Sequence, residues 1–151
     1  MKDSLLSYPW KFAGIFLCLC GIVLAVFYLW FDFRFTLPVF AVYSSFFETK
    51  MFATFRTNFA DELTLLLLIS GMSLIVFSKE KNETENIDAL RLKALTIAVI
   101  ANNILLLFSV LFIYGTGFLS VLVFNLISFS IFYLLFFYMF QWNEAKRKIV
   151  E

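Results

Sequence analysis

Histidine is absent from all 151 residues. That one absence removes the commonest general base, the commonest metal ligand and the usual haem ligand. Cysteine is nearly as scarce, with only Cys18 and Cys20, both inside an apolar run. A thiol-exchange enzyme needs its cysteines where other thiols can reach them, so this pair reads as two small hydrophobes. Charge is thin, at 15% of residues, against about 25% in an average soluble domain. A formal net charge of +1 supplies no basic field for nucleic acid. Phosphate-binding glycine loops, catalytic triads and metal-ligand spacings are all missing. The expectation is a chain that is not an enzyme and takes no cofactor or metal.

Apolar residues fill the space instead. The chain is 62% hydrophobic, with 22 Phe and a mean hydropathy of +0.91, which is the balance of a membrane protein rather than a soluble domain. Its length suits one domain. Residues 12–31 are twenty uncharged residues, long enough to cross a bilayer as a helix. Trp30, Phe31 and Asp32 follow that run in place of a small-residue cleavage site, so it reads as a retained anchor. Gly14, Cys18, Gly21 and Ala25 recur every three or four residues and would let another helix approach closely.

The second span is expected over 58–78, with Asp61 and Glu62 in its first turns. There they favour the helix N-terminus or form the outer mouth of a cation or substrate site. A third span covers 94–113, in a helix starting near residue 83, where Asn82 and Glu85 resemble a capping box. A fourth covers 118–140, after a turn containing Gly115 and Gly117, and residues 141–151 form a polar tail. The fold class is thus an all-α membrane protein, a four-helix transmembrane bundle. Residues 32–57 form its one irregular part, an aromatic cap on the outer face. Phe33, Phe35 and Leu37 alternate with Arg34 and Thr36 as in a strand, and 39–43 and 51–57 are β-prone, so a hairpin is expected. The rival is an interfacial helix, since Val39, Val42, Tyr43, Phe46 and Phe47 also follow helical spacing.

Of the twelve Lys and Arg, nine fall in the N-terminus, the 79–93 turn and the tail, and three (Arg34, Lys50, Arg56) in the remaining segments. The positive-inside rule therefore predicts both termini in the cytoplasm, the cap outside, and an inner (cytoplasmic) membrane location.

Polar residues within the spans are few and share a depth. At a rise of about 1.5 Å per residue, Asn102, Asn103, Ser73 and Ser128 lie ~15–17 Å below the outer surface and Asn125 ~10 Å. Arg91, Ala98, Asn102 and Ser109 share one face of the third helix, and Asn103 points about 100° away. These groups are candidates for a packing clasp, or for a ligand pocket or subunit contact at the bundle centre. At the cytoplasmic end Lys79, Lys81, Glu83, Glu85, Asp88 and Arg91 form a charged neck that could hold a partner.

The segments FSKEKNETENIDALRLKAL at 77–95, NNILLL at 102–107, YGTGF at 114–118 and VLVFN at 121–125 are together similar to a group of uncharacterised, small, four-span bacterial integral membrane proteins. The resemblance covers roughly residues 59–140. It implies no assigned activity, but it does imply association with helix-turn-helix regulators and hence a membrane partner for a cytosolic protein. Two functions are therefore expected to compete. One is a non-enzymatic regulatory or sensory module embedded in lipid and bound to a cytosolic regulator. The other is a small-solute transporter or channel subunit built as a homo-oligomer, with Asn102, Asn103 and Ser128 lining its path.

Overall fold

The structure is a computed structural model and describes residues 5–45, 49–81 and 86–150. Within those, only the backbone is described for 43–45, 49, 50, 55, 116 and 148–150. The element order is α1 (Pro9–Phe31), β1 (Thr36–Ser45), β2 (Thr49–Asn58), α2 (Ala60–Val76), α3 (Ile87–Phe112) and α4 (Thr116–Val150). Three helical stretches, Pro9–Phe31, Ile87–Phe112 and Gly117–Arg147, are long and apolar enough to cross a membrane. Helix α2 has 17 residues, short of the ~20 that a bilayer core requires.

The described elements differ from the expected boundaries at two places. Helix α1 opens at Pro9 rather than 12, because proline has no N–H to lose and its φ suits the first helical position. Helix α3 is described from Ile87, behind Asn86, which makes no side-chain cap; the expected start near residue 83 and the capping-box pair at 82 and 85 lie outside the described residues. The tail is helical. Helix α4 runs 35 residues to Val150, since 141–150 contains no glycine or proline to stop it and is rich in Glu, Ala, Lys and Arg.

The chain divides into two compact units, residues 1–16 with 69–151, and residues 17–68. In the first, α3 packs along α4. The buried face of α3 is Ile87, Arg91, Ala94, Ala98, Asn102 and Ser109, a spacing of three, four and seven that keeps one stripe inward. Ile87, Ala94 and Ala98 meet Tyr133 and Phe137 of α4, with Val76, Leu90 and Phe129 around them. The two alanines leave room for the two rings. Gly14 is buried where an added Cβ would sit 2.7 Å from the Gly71 carbonyl oxygen, so α1 and α2 touch backbone to backbone there. Outside this core many apolar side chains are exposed. Phe16, Ile104, Leu111 and Phe124 are each more than 60% exposed, a surface that water does not tolerate and lipid does.

In the second unit β1 and β2 form an antiparallel pair in register Thr36↔Asn58 to Ser45↔Thr49. The aromatic segment is therefore a hairpin and not an interfacial helix, because its β-branched and aromatic residues satisfy their backbone across two strands. Asn58 joins sheet to helix: its Oδ1 accepts from the N–H of Phe35 at 3.2 Å and of Ala60 at 3.3 Å. Asp32 and Phe52 have φ of 48° and 52°, the left-handed region, which is costly for a ring-bearing residue. Gly21 is buried, and a Cβ there would meet Leu68 at 2.9 Å.

Candidate functional site

Polar side chains in the first unit gather in three places, two of which the spacing of residues anticipates. Asn102 and Asn125 exchange amide bonds: Asn102 Nδ2 donates to Asn125 Oδ1 at 3.4 Å, and Asn125 Nδ2 donates to Asn102 Oδ1 at 3.3 Å. Ser128 Oγ donates to the same Asn102 oxygen at 2.6 Å. Asn125 and Ser128 are three residues apart and so share a face of α4, which lets one amide engage both. Asn125 and Ser128, one helical turn apart, thus bond to the same amide. Ser73 makes no hydrogen bond to this group among the described residues, and Asn103 points outward and is exposed. The clasp therefore joins α3 to α4. It leaves no amide free to line a path between them.

The second place lies at the other end of α3, and its reach along the chain is much longer. Leu6 donates its N–H to the Phe77 carbonyl at 2.9 Å and accepts from the Lys79 N–H at 2.9 Å, a one-residue parallel bridge to Ser78. In the first turn of α1, Lys11 Nζ donates to both carboxylate oxygens of Glu80, at 2.6 and 2.7 Å. Both side chains are only 14% exposed. Tyr138 of α4 donates its hydroxyl to Glu80 at 3.2 Å, and the Lys11 ammonium stands 5.0 Å from the Tyr138 ring centroid. Three segments far apart in sequence are held by one carboxylate. Charge-assisted bonds of this kind are roughly twice as strong as neutral ones.

Arg91 lies beside them and is 3% exposed. It donates to the Ser78 carbonyl at 3.4 Å and sits 5.8 Å from the Phe137 ring. The space shared by Ile75, Ser78, Glu80, Arg91, Tyr133, Phe137 and Tyr138 amounts to about 190 Å³, none of it wide enough for a water molecule. This is a packed joint, not a ligand pocket. It also corrects the charged neck. Arg91 is not part of any accessible surface, because its position on the stripe with Ala94 and Ala98 turns it toward α4. Asp88 is half-buried, with Oδ1 enclosed. Lys79 is half-buried and Lys81 is exposed; Glu83 and Glu85 lie outside the described residues.

The third place involves the segment 141–151, expected as a polar tail beyond the fourth span. The helical continuation of α4 sets Asn143, Glu144 and Arg147 beside Asn86, Ala89, Leu90 and Lys93 of α3, with Phe140 on the floor, around a cleft of about 410 Å³. Asn86 Nδ2 donates to Glu144 at 3.3 Å. The Lys93 ammonium lies 4.7 Å from the Phe140 ring and that of Lys146 4.0 Å from Trp142. Of the cations it is Lys93 and Arg147 that line the cleft, with Glu144 beside them, and two cations near Leu90 and Phe140 can bind an acidic or acidic-apolar group.

In the second unit Asp61 and Glu62 occupy the first turn of α2 and are exposed. Phe33, Cys20 and Leu67 help line an apolar groove of about 620 Å³. Cys18 and Cys20 are both free thiols. Among the described residues no three His, Cys, Asp or Glu side chains come together to hold a metal ion. No protein-family model, curated protein or solved structure matches this chain.

Proposed function

We propose that the chain is a non-enzymatic, multi-pass protein of a bacterial inner membrane whose cytoplasmic end holds a cytosolic protein, in the manner of a regulatory or sensory partner. The observation that carries this reading is the cleft between the start of α3 and the end of α4, where Lys93 and Arg147 flank Leu90 and Phe140. Exposed Lys81 and Lys146 add positive charge at the same end of the chain's charge distribution. The partner is a protein that presents carboxylates around an apolar side chain, and the resemblance to regulator-associated membrane proteins points the same way.

In this reading α1, α3 and α4 span the bilayer. Helix α2 does so with the help of its flanks, since 58–78 is the stretch its length requires. The count of nine Lys and Arg against three supports cytoplasmic termini and a hairpin on the outer side. The competing reading, a path for small solutes, draws its polar lining from Asn102 and Ser128, and those two are bonded to each other.

Full-length protein solubilised from its own membranes should carry a cytosolic protein with it. The double variant Lys93→Glu with Arg147→Glu should lose that protein while Asp61→Asn with Glu62→Gln keeps it. If the intact chain carries nothing, or the reversed variant carries as much, the cleft has no such role.

A further inference from the structure

Helix α3 has two differently built faces besides the one it buries. Counting 100° per residue, the inward stripe of Arg91, Ala94, Ala98 and Asn102 is followed about 120° around the helix by Leu92, Thr96, Val99, Asn103, Leu106 and Val110. These six are separated by four, three, four, three and four residues, the spacing of a left-handed helix–helix seam. All but Leu106 are exposed, and Leu106 is half-buried. The remaining face carries Lys93 at its start, and beyond it Ile100, Ile104 and Leu111, 53–65% exposed, form the apolar surface that lipid contact requires.

Asn103 is the anomaly. It lies nine residues from Ala94 and ten from Ile113, the centre of a twenty-residue uncharged run. Its carboxamide is exposed and has no hydrogen-bond partner among the described residues. Thr96, one heptad earlier, is satisfied by donating to the Leu92 carbonyl at 3.0 Å. A carboxamide has two donors and an acceptor, and hydrocarbon offers neither water nor any other partner. An amide turned to the bilayer centre therefore calls for a polar group on something else.

We propose that this seam is the interface of a parallel homodimer in which Asn103 of each copy hydrogen-bonds Asn103 of the other. The proposal rests on the membrane reading above and goes beyond it. Insertion gives every copy the same orientation, so two copies are related by a twofold axis along the membrane normal. Residues near such an axis meet themselves. An amide is complementary to itself, and the chain already contains this pairing in the reciprocal bonds of Asn102 and Asn125. A single Asn among apolar positions of a seam is also the feature that selects register and a two-stranded state. The other candidate occupant, a different membrane protein, would leave the purified chain monomeric.

The test uses the full chain in phosphatidylethanolamine–phosphatidylglycerol vesicles, with self-association followed by energy transfer as the protein is diluted in lipid. The wild-type chain should dimerise. Asn103→Leu should weaken the dimer about tenfold, the size of one interhelical amide bond. Asn103→Gln should restore most of it, and Ile104→Ala should leave it unchanged. Because Asn103 bonds nothing among the described residues of its own protomer, the leucine variant should remain folded, which helical circular dichroism checks. In a Cys18→Ser, Cys20→Ser background, Val99→Cys should form an intermolecular disulfide and Ile104→Cys should not. A wild-type monomer, a dimer indifferent to Asn103→Leu, or crosslinking at 104 in place of 99 would each overturn the proposal. Failure of the membrane reading is separately visible, because alkaline carbonate would then strip the chain from its native membrane.

Discussion

Asn102 and Asn103 are adjacent and identical, yet the fold uses them in opposite ways. The first is 8% exposed and takes part in all three side-chain bonds that tie α3 to Asn125 and Ser128. Its replacement by Ala leaves Asn125 without its amide partner, and should cost about 1–2 kcal/mol in reversible unfolding from lipid bicelles. Ser128→Ala removes one of the three bonds and should cost less, and Asn103→Leu should cost the protomer nothing. The periodicity of α3 turned the two asparagines about 100° apart but left both as candidates for the clasp, and the hydrogen bonds to Asn125 and Ser128 select Asn102. Residue-level reading was blind to Lys11 and Glu80. They are 69 positions apart, and each had an ordinary local explanation: a positive-inside lysine and one member of a charge run. Glu80→Gln should cost about 1.5–3 kcal/mol, the range for hydrogen bonds to charged groups. It should also speed amide exchange at Leu6 and Lys79, whose N–H bonds span the same joint.

At the scale of elements, close approach is set by the smallest side chains. Gly14 and Gly21 were legible as part of a small-residue face of α1, and both are buried against α2 residues within their own units. Gly14→Leu has to displace a backbone carbonyl, which cannot rotate away as a side chain would. It should cost 1–3 kcal/mol or more as overpacking, read from the same bicelle unfolding. Gly117→Ala meets nothing nearer than 3.4 Å and should be neutral, whereas Gly115→Ala forces a Cβ into φ +69° and should cost about 1 kcal/mol. Element ends were read less well than element types. The run of 141–150 looked like a tail because its composition is polar, and polarity was taken to end the span. Polarity ends burial in lipid, but only glycine, proline or a competing hydrogen bond ends a helix.

For the whole molecule, the proposed topology, with both termini and residues 79–81 on the cytoplasmic side of an inner membrane, makes a direct prediction. With Cys18 and Cys20 replaced by Ser, a cysteine at Lys81 or Lys146 should react with an impermeant maleimide only after the inner membrane is opened. One at Arg34 should react in intact spheroplasts. Labelling of Arg34→Cys and Lys81→Cys from the same side would exclude the four-span arrangement and leave the three helices of sufficient length as an odd number of crossings.

Apolar runs, their lengths and the single stripe on α3 were properties of the sequence alone, because helix periodicity and bilayer thickness act on each segment without reference to any other. The hairpin was an open choice between two local patterns, and cross-strand pairing decided it. Three features came only from tertiary structure: the burial of Arg91, the Lys11–Glu80–Tyr138 joint, and the cleft formed by a helical tail. Each depends on which distant segment supplies the partner. A charge in a local run has the same appearance whether it faces water or a tyrosine sixty residues away, and only the packing of α3 on α4 separates the two.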